Sequence, residues 1–183
     1  VEVRSTNALR IKRLVKDTTP PVCLHFSVDL NLGLLLLTFD EPTQADSLLL
    51  PQLVLSSSVS GKFVNLGDTD RAVSLVNMTQ LCVNLSRSDL NEIKRAIATS
   101  ASLSILDSLV MFSGAVTDLS GNAFIGNNAD NPIQVSTFVT DTTPPVLQSW
   151  TLNRYTRKLK LYFSEYVHYD FVQPTSLVLL STS

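Results

Sequence analysis

The chain has 183 residues, of which 44% are hydrophobic and 16% charged, and its formal net charge is −2. That balance excludes a disordered tail and gives enough chain for one full core plus a partial one. It offers no excess of positive charge for nucleic acid, and the longest apolar run, LGLLLLTF, is far too short to span a bilayer.

The charge is unevenly spread. Residues 1–16 carry Arg4, Arg10, Lys12, Arg13 and Lys16 against Glu2 alone, a sum of +4, whereas residues 17–140 sum to −7 and residues 141–183 to +1. A basic end and an acidic body attract one another head to tail within a Debye length. No signal-peptide pattern opens the sequence, so any such leader is expected to be removed or to lie outside this stretch.

Reading from the N-terminus, NALRIKRLVK (residues 7–16) overlays NPIQVSTFVT (residues 131–140), placing Leu9 on Ile133, Ile11 on Val135 and Leu14 on Phe138. Residues 1–16 therefore read as the terminal strand of a preceding unit. The pentapeptide DTTPP follows at Asp17 and returns at Asp141, an offset of 124 residues. Two prolines remove two backbone donors and hold a stiff connection that cannot continue a sheet, and the threonines before them favour extended geometry. The pentapeptide is a seam, framing a complete unit over 17–140 and the opening strands of a second over 141–183.

Within the complete unit, apolar alternation predicts strands over 22–28, 34–39, 53–57, 62–66, 72–76, 81–85, 103–112 and 133–139. Turn residues such as Asn31-Leu32-Gly33 and Ser120-Gly121-Asn122 stand between them. Many short strands at this spacing imply an all-β sandwich or barrel. One stretch departs: in SRSDLNEIKRAIA, Ser86 or Ser88 can cap a helix whose apolar stripe is Leu90, Ile93, Ala96 and Ile97. After the second seam the match is ungapped. Val22 falls on Val146, Phe26 on Trp150, Leu35 and Leu37 on Leu159 and Leu161, Phe39-Asp40-Glu41 on Phe163-Ser164-Glu165, and Leu53-Val54-Leu55 on Leu177-Val178-Leu179.

Few residues carry chemistry. Asp17, Glu41, Asp118 and Asp141 are the carboxylates nearest the seams, with Asn122 beside them, and hard oxygens of this kind can gather calcium at a junction. No complete calcium loop is present, and turn-capping by Asp17, Asp118 and Asp141 with a solvated Glu41 is the simpler reading. Asn77-Met78-Thr79 and Asn84-Leu85-Ser86 fit the N-glycosylation pattern, and the seams and Ser56-Ser57-Ser58 could carry O-linked sugars. Cys23 and Cys82 form an even pair, open to a disulfide or to two buried thiols. His25 and His168 have no partner motif, and no nucleophile, zinc, phosphate or dinucleotide signature occurs, so no enzyme is expected.

The order DTTPPV, TFDEP, DLSGNA and QVSTFVTD resembles the tandem extracellular Ig-like repeats (Big-type, SbsA-like) of large surface, adhesion and fibre proteins. Such modules share a D-T-T-x-P opening, a T-F-S-E-P-V strand and a D-x-x-G-N turn. The LSRSDLNEIKRAIATS stretch is similar to surface-fibre repeats of algae and protists. The resemblance implies an Ig-like β-sandwich with one short helix insertion, an extracellular or cell-surface location and a structural role. It implies calcium at Asp17, Glu41, Asp118 and Asp141 as the one candidate cofactor, none being required, together with covalent glycans. The second unit has Ser164 and Tyr166 where the first has Asp40 and Pro42, so the two strand ends need not behave alike.

Self-association is the expected partnership, as a head-to-tail homopolymer or as adjacent repeats of one long chain. In the polymer the strand carrying Leu9, Arg10, Ile11, Lys12 and Leu14 would complete the sheet of the next molecule. The alternative is an adhesive or receptor module that binds glycan or protein ligands.

Overall fold

The computed structural model describes residues 12–67, 72–98, 105–168 and 172–180. Strand β1 (Cys23–Asp29) turns through Leu30–Gly33 into β2 (Leu34–Phe39). Phe26 and Val28 of β1 and Leu35, Leu37 and Phe39 of β2 all point inward, on the alternation a one-sided strand requires. Cys23 also points inward, although it precedes Phe26 by three positions. A bulge between Cys23 and His25 absorbs the extra residue.

The next strands are β3 (Leu53–Ser56), β4 (Phe63–Asn65), β5 (Ala72–Asn77), β6 (Gln80–Asn84), β7 (Ser108–Met111) and β8 (Ile133–Val139). Together with β1 and β2 they form one eight-stranded sheet in the order β4-β3-β7-β8-β1-β2-β6-β5. All neighbours are antiparallel except β1 and β8, which run parallel. The fold is mostly β, as expected, but its strands form a single curled sheet where a sandwich of two sheets was expected. The reason lies in β8. Its first two residues pair with β7 and Val135–Val139 pair with β1, so one strand carries the hydrogen bonding from one half to the other. One buried cluster draws Leu53, Leu55, Leu109 and Met111 from one half and Phe26, Leu37, Leu81 and Val83 from the other.

Helix α1 (Arg87–Ala98) sits where the sequence placed it. Ser86 is the cap: its Oγ accepts the Asp89 N–H at 3.1 Å and donates to Asp89 Oδ2 at 2.9 Å. Asp89 in turn accepts the Gly67 N–H at 2.9 Å, tying the first turn to the chain leaving β4. Ile93 is fully buried, with Leu90, Ala96 and Ile97 packed against the core. Among the described residues, no helix is long and apolar enough to cross a membrane.

Strand β7 is shorter than the predicted 103–112. Asp107 turns its carboxylate to the Ser58 N–H and hydroxyl, so it serves as a loop clamp and not as a strand residue; residues 101–104 lie outside the described stretches.

After the second seam, β9 (Leu147–Asn153) and β10 (Lys158–Phe163) form a separate two-stranded sheet. Its register repeats that of β1 and β2 at the 124-residue offset: Trp150 faces Leu161 as Phe26 faces Leu37, and Leu147 faces Phe163 as Cys23 faces Phe39. A bulge falls at the same place in both hairpins. The tight turn before the second strand repeats as well, with Gly33 at φ 67° and Arg157 at φ 55°. By contrast, Leu177–Leu179, the match to β3, lie outside any strand. Strand β3 is paired on both sides, by β4 and β7, and Leu177–Leu179 have no such partners among the described residues.

The cysteines are both free, and the disulfide alternative is thereby corrected. Cys23 lies opposite Phe39, Cys82 lies opposite Leu36, and β2 runs between them. Two strand spacings and three residues of stagger put their Cα atoms on the order of 14 Å apart, about twice what a disulfide spans. Burial pushes the Cys23 thiol up to about 12.

Candidate functional site

Each seam is built by the same local bonds. Asp17 Oδ1 accepts the Thr19 N–H at 3.0 Å, and Asp141 Oδ1 accepts the Thr143 N–H at 3.0 Å. Immediately after the prolines the chain pairs with the end of the second strand. Asp40 N–H donates to Val22 O at 3.0 Å and Ser164 N–H donates to Val146 O at 2.8 Å. In return the Val22 N–H donates to Asp40 Oδ1 at 2.8 Å, and the Val146 N–H to Ser164 Oγ at 2.9 Å. The serine hydroxyl therefore does the work of the aspartate carboxylate, and the difference between TFDEP and YFSEY leaves the geometry unchanged. This places a glutamate, Glu41 or Glu165, beside each seam aspartate, and each glutamate keeps its Oε1 buried without a hydrogen-bond partner.

At the first junction the third member is Asp118. Its turn is closed by Asp118 Oδ1 accepting the Ser120 and Asn122 N–H groups at 2.9 and 2.7 Å, while Oδ2 accepts from Asn122 Nδ2 at 2.7 Å. Asn122 Nδ2 also reaches Asp17 O and Thr19 O at 3.3 and 3.2 Å, fastening this turn to the seam. One oxygen from each of Asp17, Glu41 and Asp118 then lies within 4.8 Å of the others. The charges respond accordingly. Burial, followed by the charges of Asp17, Asp118 and Asp40, pushes the Glu41 carboxyl above its ordinary value. Asp118 is also buried, which opposes ionisation, yet the hydrogen bonds from Asn122, Ser120 and Gly121 hold it below the ordinary aspartate range. Three carboxylates, one of them with an unbonded buried oxygen, make a donor set of the hard type that a cation such as calcium takes.

At the second junction a cation is present, supplied by the chain. Lys94 Nζ of α1 lies 2.7 Å from Asp141 Oδ2 and 2.5 Å from Glu165 Oε2, with all three side chains no more than 20% exposed. Burial alone would lower the lysine, but hydrogen bonds and charge from Asp141 and Glu165 hold it above its ordinary value. Burial likewise opposes ionisation of Asp141, and the bonds from Lys94 and Thr143 N–H overcome it. Two further contacts join the hairpin to the unit before it. Arg87 Nη2 donates to Phe163 O at 2.6 Å. Asn31, in the β1–β2 turn, donates to Thr140 O at 3.0 Å and accepts from Thr142 N–H, Thr142 Oγ1 and Thr143 Oγ1 at 2.9 to 3.2 Å.

The predicted calcium set is therefore split: Asp17, Glu41 and Asp118 converge, whereas Asp141 belongs to the other junction and faces a lysine. Lys94 and Asn31 were not singled out in the sequence. Lys94 lies off the apolar stripe of α1, and no local pattern indicates that a residue 47 positions later will reach it.

Asn77 and Asn84 are exposed at the ends of β5 and β6. The Asn77 amide donates to Gln80 Oε1 and accepts from Thr79, and Ser86 of the second triplet is buried as the α1 cap. Of the proposed assembly strand, Leu9, Arg10 and Ile11 lie outside the described residues, and Lys12 and Leu14 are exposed and outside any strand.

No family model matches the chain, and no curated protein matches it. Among solved structures it is similar to the crystal structure of the S-layer protein rSbsC(31-844), at 14% identity and a TM-score of 0.39. The match covers 74% of this chain and 15% of that one.

Proposed function

We propose that the chain is a stretch of an extracellular structural array, in which Ig-like β-sandwich units are laid end to end and their carboxylate-lined junctions are closed by cations. The observation that carries this reading is the repetition of register, bulge and seam bonds at a fixed 124-residue offset, with the second hairpin bonded to the unit before it. In this reading the curled sheet is a sandwich whose two faces stay linked through β8. A role that is mechanical and not chemical suits a polar side-chain inventory spent on turns, caps and seams. The Asp17, Glu41 and Asp118 oxygens suit a cation, and calcium is the metal alternative to an ammonium group there.

In the polymer version of the array, the strand with Leu9, Ile11 and Leu14 closes the sheet of a neighbour. Ile11→Asp then prevents polymer formation, and filaments of normal length from that variant count against strand sharing. Electron microscopy of native material tests the array directly: the expected result is fibres or a lattice with a repeat close to one unit length. Mass spectrometry of secreted material, with glycan expected on Asn77 and Asn84, tests the location.

A second reading, an adhesive module, draws on an open groove of about 490 Å³ beside the first seam, lined in part by Val22, Leu24, Phe124, Ile125 and Ile133. It requires a soluble ligand that saturates the monomer, whereas the array requires none.

A further inference from the structure

We propose that Asp17, Thr18, Thr19 and Glu41 form the docking face for the helical end of another unit of this same fold, which enters by placing a lysine ammonium between Asp17 and Glu41. The inference rests on reading the chain as successive units. It specifies what closes the first junction: a tethered amine from a neighbour and not a diffusible metal.

The two junctions repeat the same seam bonds, and among the described residues only the second receives a basic side chain. Their seam bonds correspond one for one, and Glu41 and Glu165 both retain a buried Oε1 without a hydrogen bond. The second pair receives Lys94, delivered by a helix anchored through Ser86, Asp89 and the buried Ile93. At the first pair no basic side chain among the described residues lies within ion-pair distance, and Asp118 adds a third carboxylate. Burial and then the charges of Asp17, Asp118 and Asp40 displace Glu41 upward, so an added positive charge between these carboxylates would be favourable.

The choice of a lysine follows from what surrounds it. The seam bears two kinds of contact, not one: the aspartate and glutamate take Lys94, while the two threonines and the backbone take Asn31 from the β1–β2 turn of the same preceding unit. The first seam repeats Asp, Thr and Thr in the same order, and Thr18 and Thr19 are exposed. A metal would use the carboxylates and leave the threonines unexplained. A unit presenting the equivalents of Lys94 and Asn31 uses both, and its basic helix end meets an acidic face formed by Asp17, Asp40, Glu41 and Asp118.

The test lengthens the full chain by duplicating one unit in frame, so that residues 1–140 are followed by 17–183. Both seams are kept, and Lys94 of the first copy faces Asp17 and Glu41 of the second. A water-soluble carbodiimide joins only an amine and a carboxylate already in contact, and mass spectrometry locates the amide. The original chain should give an amide from Lys94 to Asp141 or Glu165. The duplicated chain should give that amide and a new one from Lys94 to Asp17 or Glu41, undiminished in chelator and reduced at least tenfold by Asp17→Asn with Glu41→Gln. A folded duplicated chain that yields only the first amide overturns the lysine latch and leaves the array standing. Loss of the new amide on adding calcium, with calcium retained at this site, also overturns it, in favour of a metal. A duplicated chain that gains no second cooperatively folded unit overturns the repeat reading beneath both.

Discussion

The hairpins β1–β2 and β9–β10 share register, bulge, turn conformation and seam, yet their side chains meet opposite fates. Phe26, Leu37 and Phe39 are at most 2% exposed, while Trp150, at the position of Phe26, is 51% exposed. The comparison separates two things usually seen together. Pairing geometry is fixed by the turn and the bulge, which are local, whereas burial depends on strands far away in sequence. In the first hairpin, β6 covers the outer edge of β2, β8 covers β1, and the opposite half of the curled sheet closes the core. The second hairpin has the seam, Lys94, Asn31 and Arg87 instead, so polar contacts at one end hold what packing holds in the first.

The largest expected difference is therefore in the core. Phe26→Ala should cost about 3–5 kcal/mol in urea unfolding followed by circular dichroism, because it empties a site filled from both halves of the sheet. Trp150→Ala should cost no more than about 1 kcal/mol, as for a surface position. Equal costs would mean that β9–β10 is packed as tightly as β1–β2.

Lys94→Met addresses the polar end. It leaves Asp141 and Glu165 largely buried without their cation and should weaken attachment of the second hairpin by about 3 kcal/mol, read as faster amide exchange at Thr143 and Ser164. The pH dependence has a defined sign. Asp141 is depressed, so its contribution is present above the ordinary aspartate range and fades as pH falls through its lowered value. Lys94 is raised, so its contribution is present below the ordinary lysine range and fades as pH rises through its elevated value. Protection at Thr143 should thus form a plateau with an acid and an alkaline edge, and Lys94→Met should flatten both.

Arg157→Gly is smaller and opposite in direction. Arg157 occupies the left-handed conformation that Gly33 supplies in the first hairpin, and relieving it should stabilise the β9–β10 turn by about 1 kcal/mol, visible as slower exchange at Lys158 and Leu159. The converse change, Gly33→Arg, should destabilise the first hairpin.

Smallest of all is Glu41→Gln in the chain on its own. Glu41 is raised, so the folded state holds its proton more tightly, and acid stabilises the first junction until pH falls below the ordinary glutamate range. Removing the charge should stabilise by less than about 1 kcal/mol at neutral pH and have no effect in acid. Mild acid therefore acts on the first junction alone, the second weakening only once pH falls below the ordinary aspartate range; a thermal-denaturation series from neutral pH to below that range separates the two responses.

Much of this was legible residue by residue. The alternation of Leu35, Leu37 and Phe39 gave β2 its limits and its buried face, Ser86 and the Leu90-Ile93-Ala96-Ile97 stripe placed α1, and the two pentapeptides located both junctions. What was not legible had distant causes. Asp118 joins Asp17 and Glu41 because β-strand connections return it there 77 positions after Glu41. Lys94 reaches Asp141 only because α1 is anchored by Asp89 on Gly67 and Ile93 in the core, and Cys23 and Cys82 stand apart because β2 separates them.

Period-two alternation, caps, turns and a repeated seam are short-range physics, so the order of amino acids alone indicated most strands of the first unit, the helix and the position of both seams. Which half of the sheet β8 would join, which hydrophobic faces would be covered, and which carboxylates would meet a cation depended on contacts between residues tens of positions apart. Those contacts are chosen by how well whole faces pack, and only the assembled fold decides that.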